Sequence, residues 1–209
     1  MVAQAPADGY TVLLGTVGVL VVNEMLYSKL QYKADRDFTP VSLVSNSPYM
    51  LAVNPAIPVN DLSSFIKYAK ENPGKLAMGS AGNGSAPHLS LELLKLSAGV
   101  EIMHVPYKSG GEAVNAALGN HVQMVIDAIP VVAPQVQANR LTGIALADAT
   151  RHESIPAIGT SVEQGLADFQ VGSWNALVVP AGAEAFKKHV DNERTRWSRI
   201  TKAAGTHLD

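Results

Sequence analysis

The sequence contains no cysteine, few aromatic residues and no long hydrophobic run. Without cysteine the chain can form no disulfide framework and no thiol chemistry. Charged residues make up 16% of its 209 positions, the net charge is −2, and no lysine or arginine cluster is present, which argues against nucleic-acid binding. The longest apolar run near the start, residues 17–22, is too short to cross a bilayer. Residues 1–4 lack the features of an export signal, so the chain as written is expected in the cytoplasm.

Metal-binding motifs are absent as well. The six histidines fall into none of the spacings typical of metal sites. We therefore expect neither a metal ion nor a cofactor. His104, beside a predicted strand, is interpreted as a hydrogen-bonded core group. For His88 the residues leave two interpretations open, a contact with a ligand or a structural hydrogen bond.

A glycine-rich stretch, residues 79–85, connects a short predicted strand to a predicted helix. Gly82 and Gly84 allow backbone angles that are closed to other residues. Ser85 is expected to cap the helix, and Pro87 falls in the first turn, where a missing N–H costs nothing. The stretch therefore predicts free amides at the positive end of a helix, an arrangement that suits an anion.

The residues missing from this loop indicate which anion it binds. A phosphate-binding loop carries a lysine, and this stretch has none. Pro87 stands where a dinucleotide fingerprint needs its third glycine. Ser80 is not in the Gly-x-Ser-x-Gly order of a hydrolase elbow. A carboxylate held by neutral donors is favoured, and the alternative is a plain tight turn.

Strands and helices alternate through the middle of the chain. A chain of this length and apolar content forms one large domain or two small ones. The alternation predicts a parallel sheet covered on both faces, with ligands bound at the carboxyl ends of its strands. The predicted strands are residues 49–53, 76–80, 102–105, 122–126 and 141–147. The predicted helices follow Asp61, Ser85 and Gly111 and begin at Pro130, and Asp61 is expected to cap the first of them.

Several helices carry more specific predictions. Leu89, Leu93 and Leu96 share one face at helical spacing, and this face is expected to be buried. Ser161 and Gln164 fit a capping box. The tail from Glu184 is predicted to be an amphipathic helix that packs on a core.

Two further residues lie at predicted strand ends. Asp127 would repel an anion, so it contributes its backbone or a bond to a ligand amine or hydroxyl, or else caps the helix opened by Pro130. Thr16 either faces the ligand or has a simple turn role.

The chain resembles the Bug family, the solute receptors of tripartite tricarboxylate transporters. The resemblance is carried by residues 6–11, by the glycine stretch with His88, by residues 104–108, and by Trp174 followed by residues 180–182. It implies an α/β fold of the periplasmic binding protein type II kind, in which two Rossmann-like lobes are joined by crossing strands. It also implies that residues 47–170 form one complete lobe and that residues 1–46 and 171–209 form the other.

Measured against that family, one lobe is expected to be incomplete. About fifty residues or more, at least one βαβ unit, precede the matching region in such receptors. In such receptors the counterparts of residues 182 and 185 are also separated by a block on the order of fifty residues. This block is longer than an ordinary loop.

The resemblance implies a periplasmic, non-enzymatic receptor for a small carboxylate, which is a di- or tricarboxylate, an amino acid or an aromatic acid. Its partners would be membrane permease subunits and a sensor kinase. The alternatives are a sensory or interaction module, a non-functional truncated remnant, and a hydrolase with Ser80 or Ser85 as nucleophile, which the absence of a suitably spaced base disfavours. The expected ligand-binding residues are Ser80, Ala81, Gly82, Asn83, Gly84, Ser85, His88, Asp127 and Thr16.

Overall fold

The computed structural model describes residues 2–26 and 29–181. The chain divides into two compact units, residues 46–174 and residues 1–45 with 175–209. The helix predicted from Glu184 lies outside the described residues. Among the residues that are described, no helix combines the length and hydropathy that a membrane span requires.

Both boundaries between the units fall inside long strands. The strands that the structure describes are, in chain order, β1 (Leu13–Thr16), β2 (Phe38–Val53), β3 (Ala77–Ser80), β4 (Met103–Pro106), β5 (Met124–Ala128), β6 (Thr142–Leu146) and β7 (Gly172–Pro180). The first boundary lies within β2 and the second within β7. Each of these two strands therefore contributes to both units.

The sheet of the 46–174 unit is mixed, whereas the alternation of elements predicted a parallel one. β3 pairs in parallel with β4 and β5, but β2 is antiparallel to both β5 and β6. Tyr49 pairs with Ala128 at the end of β5, and Val53 pairs with Met124 at its beginning. β2 thus enters this sheet at the edge where β3, β4 and β5 end. β2 comes before the alternating strands and helices, so it need not run in the direction of those strands. The local sequence pattern could not predict its direction.

Helices cover both faces of this sheet, as expected. The α-helices within the described residues are α1 (Asn23–Leu26), α2 (Ala34–Asp37), α3 (Leu62–Glu71), α4 (Ala86–Ala98), α5 (Gly110–Leu118) and α6 (Ile129–Gln137). Leu51 and Val53 pack with α3 and α4 in one core, and Met50 and Ala52 pack with α5 and α6 in a second. Alternate residues of β2 thus point to opposite faces, as the pleat of a strand requires.

The buried face of α4 differs from the predicted one. Leu91, Leu94 and Ala98 are buried, whereas Leu96 is 83% exposed. Leucines occur on nearly every side of this helix, so their spacing does not define a single stripe. The residues of α4 that are buried against the sheet include 87, 91, 94 and 98, which also follow helical spacing.

Two capping predictions have opposite outcomes. Asp61 caps α3, and its Oδ1 accepts a hydrogen bond of 2.7 Å from the backbone N–H of Ser64, as expected. The capping box predicted at Ser161 and Gln164 is wrong by one residue. Thr160 Oγ1 accepts from the backbone N–H of Glu163 at 3.0 Å, and Glu163 Oε2 accepts from that of Thr160 at 2.9 Å.

The other unit pairs β1 with β7 in antiparallel fashion, from Leu13 opposite Val178 to Thr16 opposite Asn175. Phe38 is buried at the start of β2, and its ring meets the ring of Tyr32 edge-on at 5.8 Å. A cavity of about 540 Å³ lies beside these two rings, lined mostly by apolar side chains.

Candidate functional site

The glycine stretch lies at the carboxyl edge of the sheet, as predicted. β3 ends at Ser80, the loop occupies residues 81–85, and α4 begins at Ala86. Ser85 is the N-cap of α4, and its Oγ accepts a hydrogen bond of 3.4 Å from the backbone N–H of His88. Pro87 lies in the first turn. The capping prediction for this helix is therefore confirmed.

Side chains of the loop and of the elements on either side of it hydrogen-bond to the loop backbone. The Gly82 carbonyl accepts hydrogen bonds from Ser85 Oγ at 2.7 Å and from Ser80 Oγ at 3.2 Å. The Gly82 amide donates to Ser80 Oγ at 3.1 Å, and the Gly84 amide donates to His88 Nδ1 at 3.0 Å. Gly82 and Gly84 have φ values of 112° and 73°, in the left-handed region that favours glycine. Both serines and His88, predicted as ligand contacts, thus shape the loop.

Three backbone amides in the loop and at the start of α4 donate to none of the described residues. They are those of Ala81 and Asn83 in the loop and of Ala86, the first residue of α4, and the Asn83 carboxamide likewise has no partner within residues 2–26 and 29–181. The amides of Gly82, Gly84 and Ser85 are used internally. Fewer donors are therefore available to an anion than the sequence predicted.

His104 connects to the loop from the neighbouring strand. Its Nε2 lies 2.5 Å from Ser80 Oγ, and its ring stacks on that of His88 with a centroid separation of 3.8 Å and an interplanar angle of 12°. Burial and the neighbouring His88 lower the pKa of His104. The predicted hydrogen bond is present, but His104 is only partly buried and is not a core residue. The link to Ser80 was not predicted, because it depends on the pairing of β3 with β4.

The Ser80 and His104 contact does not make a nucleophilic pair. A serine nucleophile must reach its substrate, whereas Ser80 has no exposed surface. Its oxygen already contacts the Gly82 amide, the Gly82 carbonyl and His104. No group in the described part of the chain hydrogen-bonds to the other ring nitrogen of His104, as the orienting member of a triad would.

Asp127 occupies the same edge of the sheet, near the end of β5. β3 and β5 run in parallel with Gly79 opposite Val125, which brings Ala81 level with Asp127. Asp127 is 9% exposed, and its Oδ1 accepts from the adjacent Ala128 amide at 2.7 Å. No side chain caps α6, so Asp127 is not its cap. Burial raises the pKa of the Asp127 carboxyl.

Tyr49 enters the sheet beside this carboxylate. It is 3% exposed and hydrogen-bonds to the side chain of Ser173. Burial, followed by the Asp127 charge, raises the pKa of Tyr49 to about 12. The phenol therefore stays protonated at any physiological pH. Sequence analysis did not identify Tyr49, although its position at the start of the predicted strand 49–53, opposite the end of β5, is the feature that places it there.

Thr16 belongs to the other unit, where it ends β1. Its Oγ1 accepts a hydrogen bond of 3.3 Å from the Val19 amide, at the start of a short helical segment. This bond supplies the turn role that the sequence left open, and a contact with ligand stays a prediction. In the part of the chain that is described, no three histidine or acidic side chains are close enough together to hold a metal ion.

A family model described as the tripartite tricarboxylate transporter family receptor matches residues 1–195. The chain belongs to this family. The resemblance recognised from the sequence is thereby confirmed, and receptors of this family are periplasmic solute-binding proteins and not a class of enzymes.

Relatives and solved structures agree with this assignment. The chain is 34% identical to protein BugT of Bordetella pertussis over 87% of its length and 56% of that protein. The structure of R. palustris Rpa4515 with adipate is 29% identical, with a TM-score of 0.78, over 98% of this chain and 81% of that one. That of MatC from Rhodopseudomonas palustris with bound malate is 33% identical, with a TM-score of 0.75, over 87% and 62%. The periplasmic binding protein fold is thus confirmed, and the chain spans about half the length of the curated relatives that it matches.

Proposed function

We propose that this chain captures a small carboxylate at the loop of residues 81–85. The observation that carries the proposal is the set of unoccupied amides at Ala81, Asn83 and Ala86, at the N-terminus of α4. Such amides, aligned with the positive end of a helix, stabilise a negative charge. The family supports the proposal, as do the adipate and malate in two similar structures.

The proposed ligand bears a hydroxyl or amino group beside its carboxylate. Asp127 lies level with Ala81 on the adjacent strand, and a carboxylate there would repel a second anion. Its Oδ2 atom accepts no hydrogen bond from the described residues, and a ligand hydroxyl or ammonium group would supply the missing donor. The tyrosine hydroxyl at position 49 is kept in its protonated form close by. Hydroxy acids and amino acids fit this pair better than plain dicarboxylates do.

The wider role follows from the family. We infer that residues 1–46 with 171–209 and residues 47–170 correspond to the two lobes of a receptor that delivers its ligand to membrane permease subunits. The place of action would be the periplasm. Thr16, Ser85 and His88 remain candidate ligand residues in this proposal, whereas Ser80, which has no exposed surface, acts through its hydrogen bonds to Gly82.

The affinity of this loop alone is expected to be low. A hydrogen bond to a charged group contributes about 1.5–3 kcal/mol net, and association costs offset much of the total for three donors. The expected dissociation constant is on the order of millimolar. A second set of donors would be needed for the micromolar affinity of a scavenging receptor.

An NMR titration of the ¹⁵N-labelled 209-residue chain tests the proposal. Malate is expected to shift the amide resonances of Ala81, Asn83 and Ala86 more than other amides, and succinate, which lacks the hydroxyl, is expected to bind less tightly. The dimethyl ester of malate is the control, because it keeps the hydroxyl and lacks the charge. If neither acid moves these resonances at about 10 mM, above the expected dissociation constant, the proposal is wrong.

A further inference from the structure

Both left-handed glycines of the loop are tethered to one pair of histidines. Gly84 donates directly to His88 Nδ1 at 3.0 Å. Gly82 donates to Ser80 Oγ at 3.1 Å, and the same oxygen lies 2.5 Å from His104 Nε2. His88 belongs to α4 and His104 to β4, so the stacked rings join the helix after the loop to the strand beside it.

We propose that His88 and His104 are positioning residues which, as a neutral stacked pair, hold Gly82 and Gly84 in the conformation that binds a carboxylate. The ligand in this statement rests on the proposed function above. The loop contacts themselves do not, and they can be tested without ligand. Neither histidine needs to touch the ligand for this role.

The hydrogen bonds require that His88 be neutral. Its Nδ1 accepts from the Gly84 amide, so that nitrogen carries no proton and the other ring nitrogen, Nε2, carries it. Protonation of His88 would place a second N–H group opposite the Gly84 N–H. Two donors repel each other, and the tether between helix and loop would be lost.

The stacking adds a second reason for neutrality. At a centroid separation of 3.8 Å, two imidazolium rings would repel each other strongly. His104 is already affected, since burial and the neighbouring His88 lower its pKa. His104 is therefore fully neutral above the ordinary histidine pKa of about 6.5, and its neutral form is lost as the pH falls through the lowered value.

Among the described residues, the charged groups that act on His104, apart from His88, lie on α4. Glu92 favours protonation of His104, and Lys95, which is paired with Glu92 at 3.0 Å, opposes it. Glu92 Oε1 also lies 4.0 Å from His88 Nε2. β3, β4 and the loop contain no charged residue other than the histidines.

The direction of the pH effect separates this role from a simple electrostatic one. If the histidines only contributed charge, imidazolium groups beside the loop would make carboxylate binding tighter at low pH. If they hold the loop, binding weakens at low pH, because the amides lose their arrangement. A fall of roughly 3- to 10-fold is expected between about pH 7.5 and 5.5, the effect of one or two hydrogen bonds.

Four variants of the full chain, studied first without ligand, test the inference. His88→Asn keeps a neutral hydrogen-bonding group near the position of His88 Nδ1, and His104→Gln keeps one near the position of His104 Nε2. His88→Ala and His104→Ala remove these groups. Hydrogen exchange of the Gly82 and Gly84 amides is followed by NMR from about pH 7.5 to 5.5, corrected for the intrinsic pH dependence of exchange. Wild type is expected to lose protection at both glycines as the pH falls. His88→Asn should retain protection of Gly84 across the range, and His104→Gln should retain that of Gly82. Each Ala variant should lack protection throughout at the glycine whose contact it removes.

Malate binding supplies the second measurement. Wild type is expected to bind more weakly at the lower pH, and His88→Asn, whose acceptor for the Gly84 amide does not titrate, is expected to show no such change. His121→Gln, at an exposed histidine outside this cluster, is the control and should behave as wild type. Constant protection of Gly82 and Gly84 in wild type, or tighter malate binding at low pH, would overturn the inference. If no carboxylate binds but the exchange pattern is found, the proposed function fails and the role in holding the loop stands.

Discussion

The carboxylate of Asp127 fills the space that Gly110 leaves open at the start of α5. A Cβ atom at Gly110 would overlap Asp127 Oδ2, and it would also lie 3.3 Å from Asp127 Cγ. Gly110→Ala is therefore expected to push the carboxylate aside or to shift α5. We expect the free energy of unfolding to fall by about 1–3 kcal/mol, the usual cost of overpacking, and chemical denaturation measures this.

The adjacent glycine provides a matched control. A Cβ atom at Gly111 would meet only Ser109 Oγ, at an ordinary 3.9 Å. Gly111→Ala should leave stability unchanged or raise it by up to about 1 kcal/mol, because alanine favours the helix. Equal losses in the two variants would show that Asp127 is not the cause.

Asp127→Asn is expected to stabilise the protein at neutral pH. Burial raises the pKa of this carboxyl, so its ionised form is unfavourable in the folded state. The folded wild type takes up a proton more readily than the unfolded chain, and its stability therefore rises as the pH falls through the raised pKa towards the ordinary value of about 3.8. The advantage of the variant should shrink over the same range.

Thermal unfolding at about pH 7 and about pH 4 checks this sign. The melting temperature of Asp127→Asn should exceed that of wild type at the higher pH, and the difference should be smaller at the lower one. The variant should also lose its preference for malate over succinate. A variant that is less stable than wild type at neutral pH would contradict the assigned cause of the pKa shift.

Local signals in the sequence were sufficient for the elements that frame the site. The Asp61 cap, the Ser85 cap and the glycine stretch all depend on residues within one turn of each other. Their energetics are decided by near neighbours in the chain, which is why the strand, loop and helix around Ser80 could be predicted.

Features that depend on distant pairing were not predicted. The direction of β2, the buried face of α4 and the contact of Ser80 with His104 all require knowledge of which strand lies beside which. The α4 sequence allows more than one apolar face, so propensity alone leaves the choice to tertiary packing. In the loop, amides were predicted as ligand donors, and the side chains of Ser80 and His88 use two of them internally.

Asn54 fixes the other end of α5, and its loss should be costly. It is 7% exposed, its Nδ2 donates to the Ala117 carbonyl at 2.8 Å, and its Oδ1 accepts from the Ala56 amide at 2.9 Å. Asn54→Ala removes both bonds and leaves the Ala56 amide without its partner, whereas the Ala117 carbonyl still accepts from the Asn120 amide at 3.1 Å. We expect a loss of about 1–3 kcal/mol in unfolding free energy. Asn72→Ala, which removes a less buried bond to the Tyr68 carbonyl, is the control and should cost less. Equal effects would show that burial of the Asn54 contacts contributes nothing.

Gly84→Ala is expected to separate the shape of the loop from the stability of the fold. Gly84 has a φ of 73°, and Gly74, outside the loop, has a φ of 71°. Alanine at either position carries a similar conformational cost of about 1 kcal/mol. Only at position 84 does the strained residue donate to His88 and lie between Asn83 and Ser85, so only Gly84→Ala should weaken malate binding. Chemical denaturation first checks that the two variants have the same stability. Calorimetric or NMR titration with malate then compares their binding. Malate binding that survives Gly84→Ala, or that is lost equally in Gly74→Ala, would mean that the loop of residues 81–85 is not where the carboxylate binds.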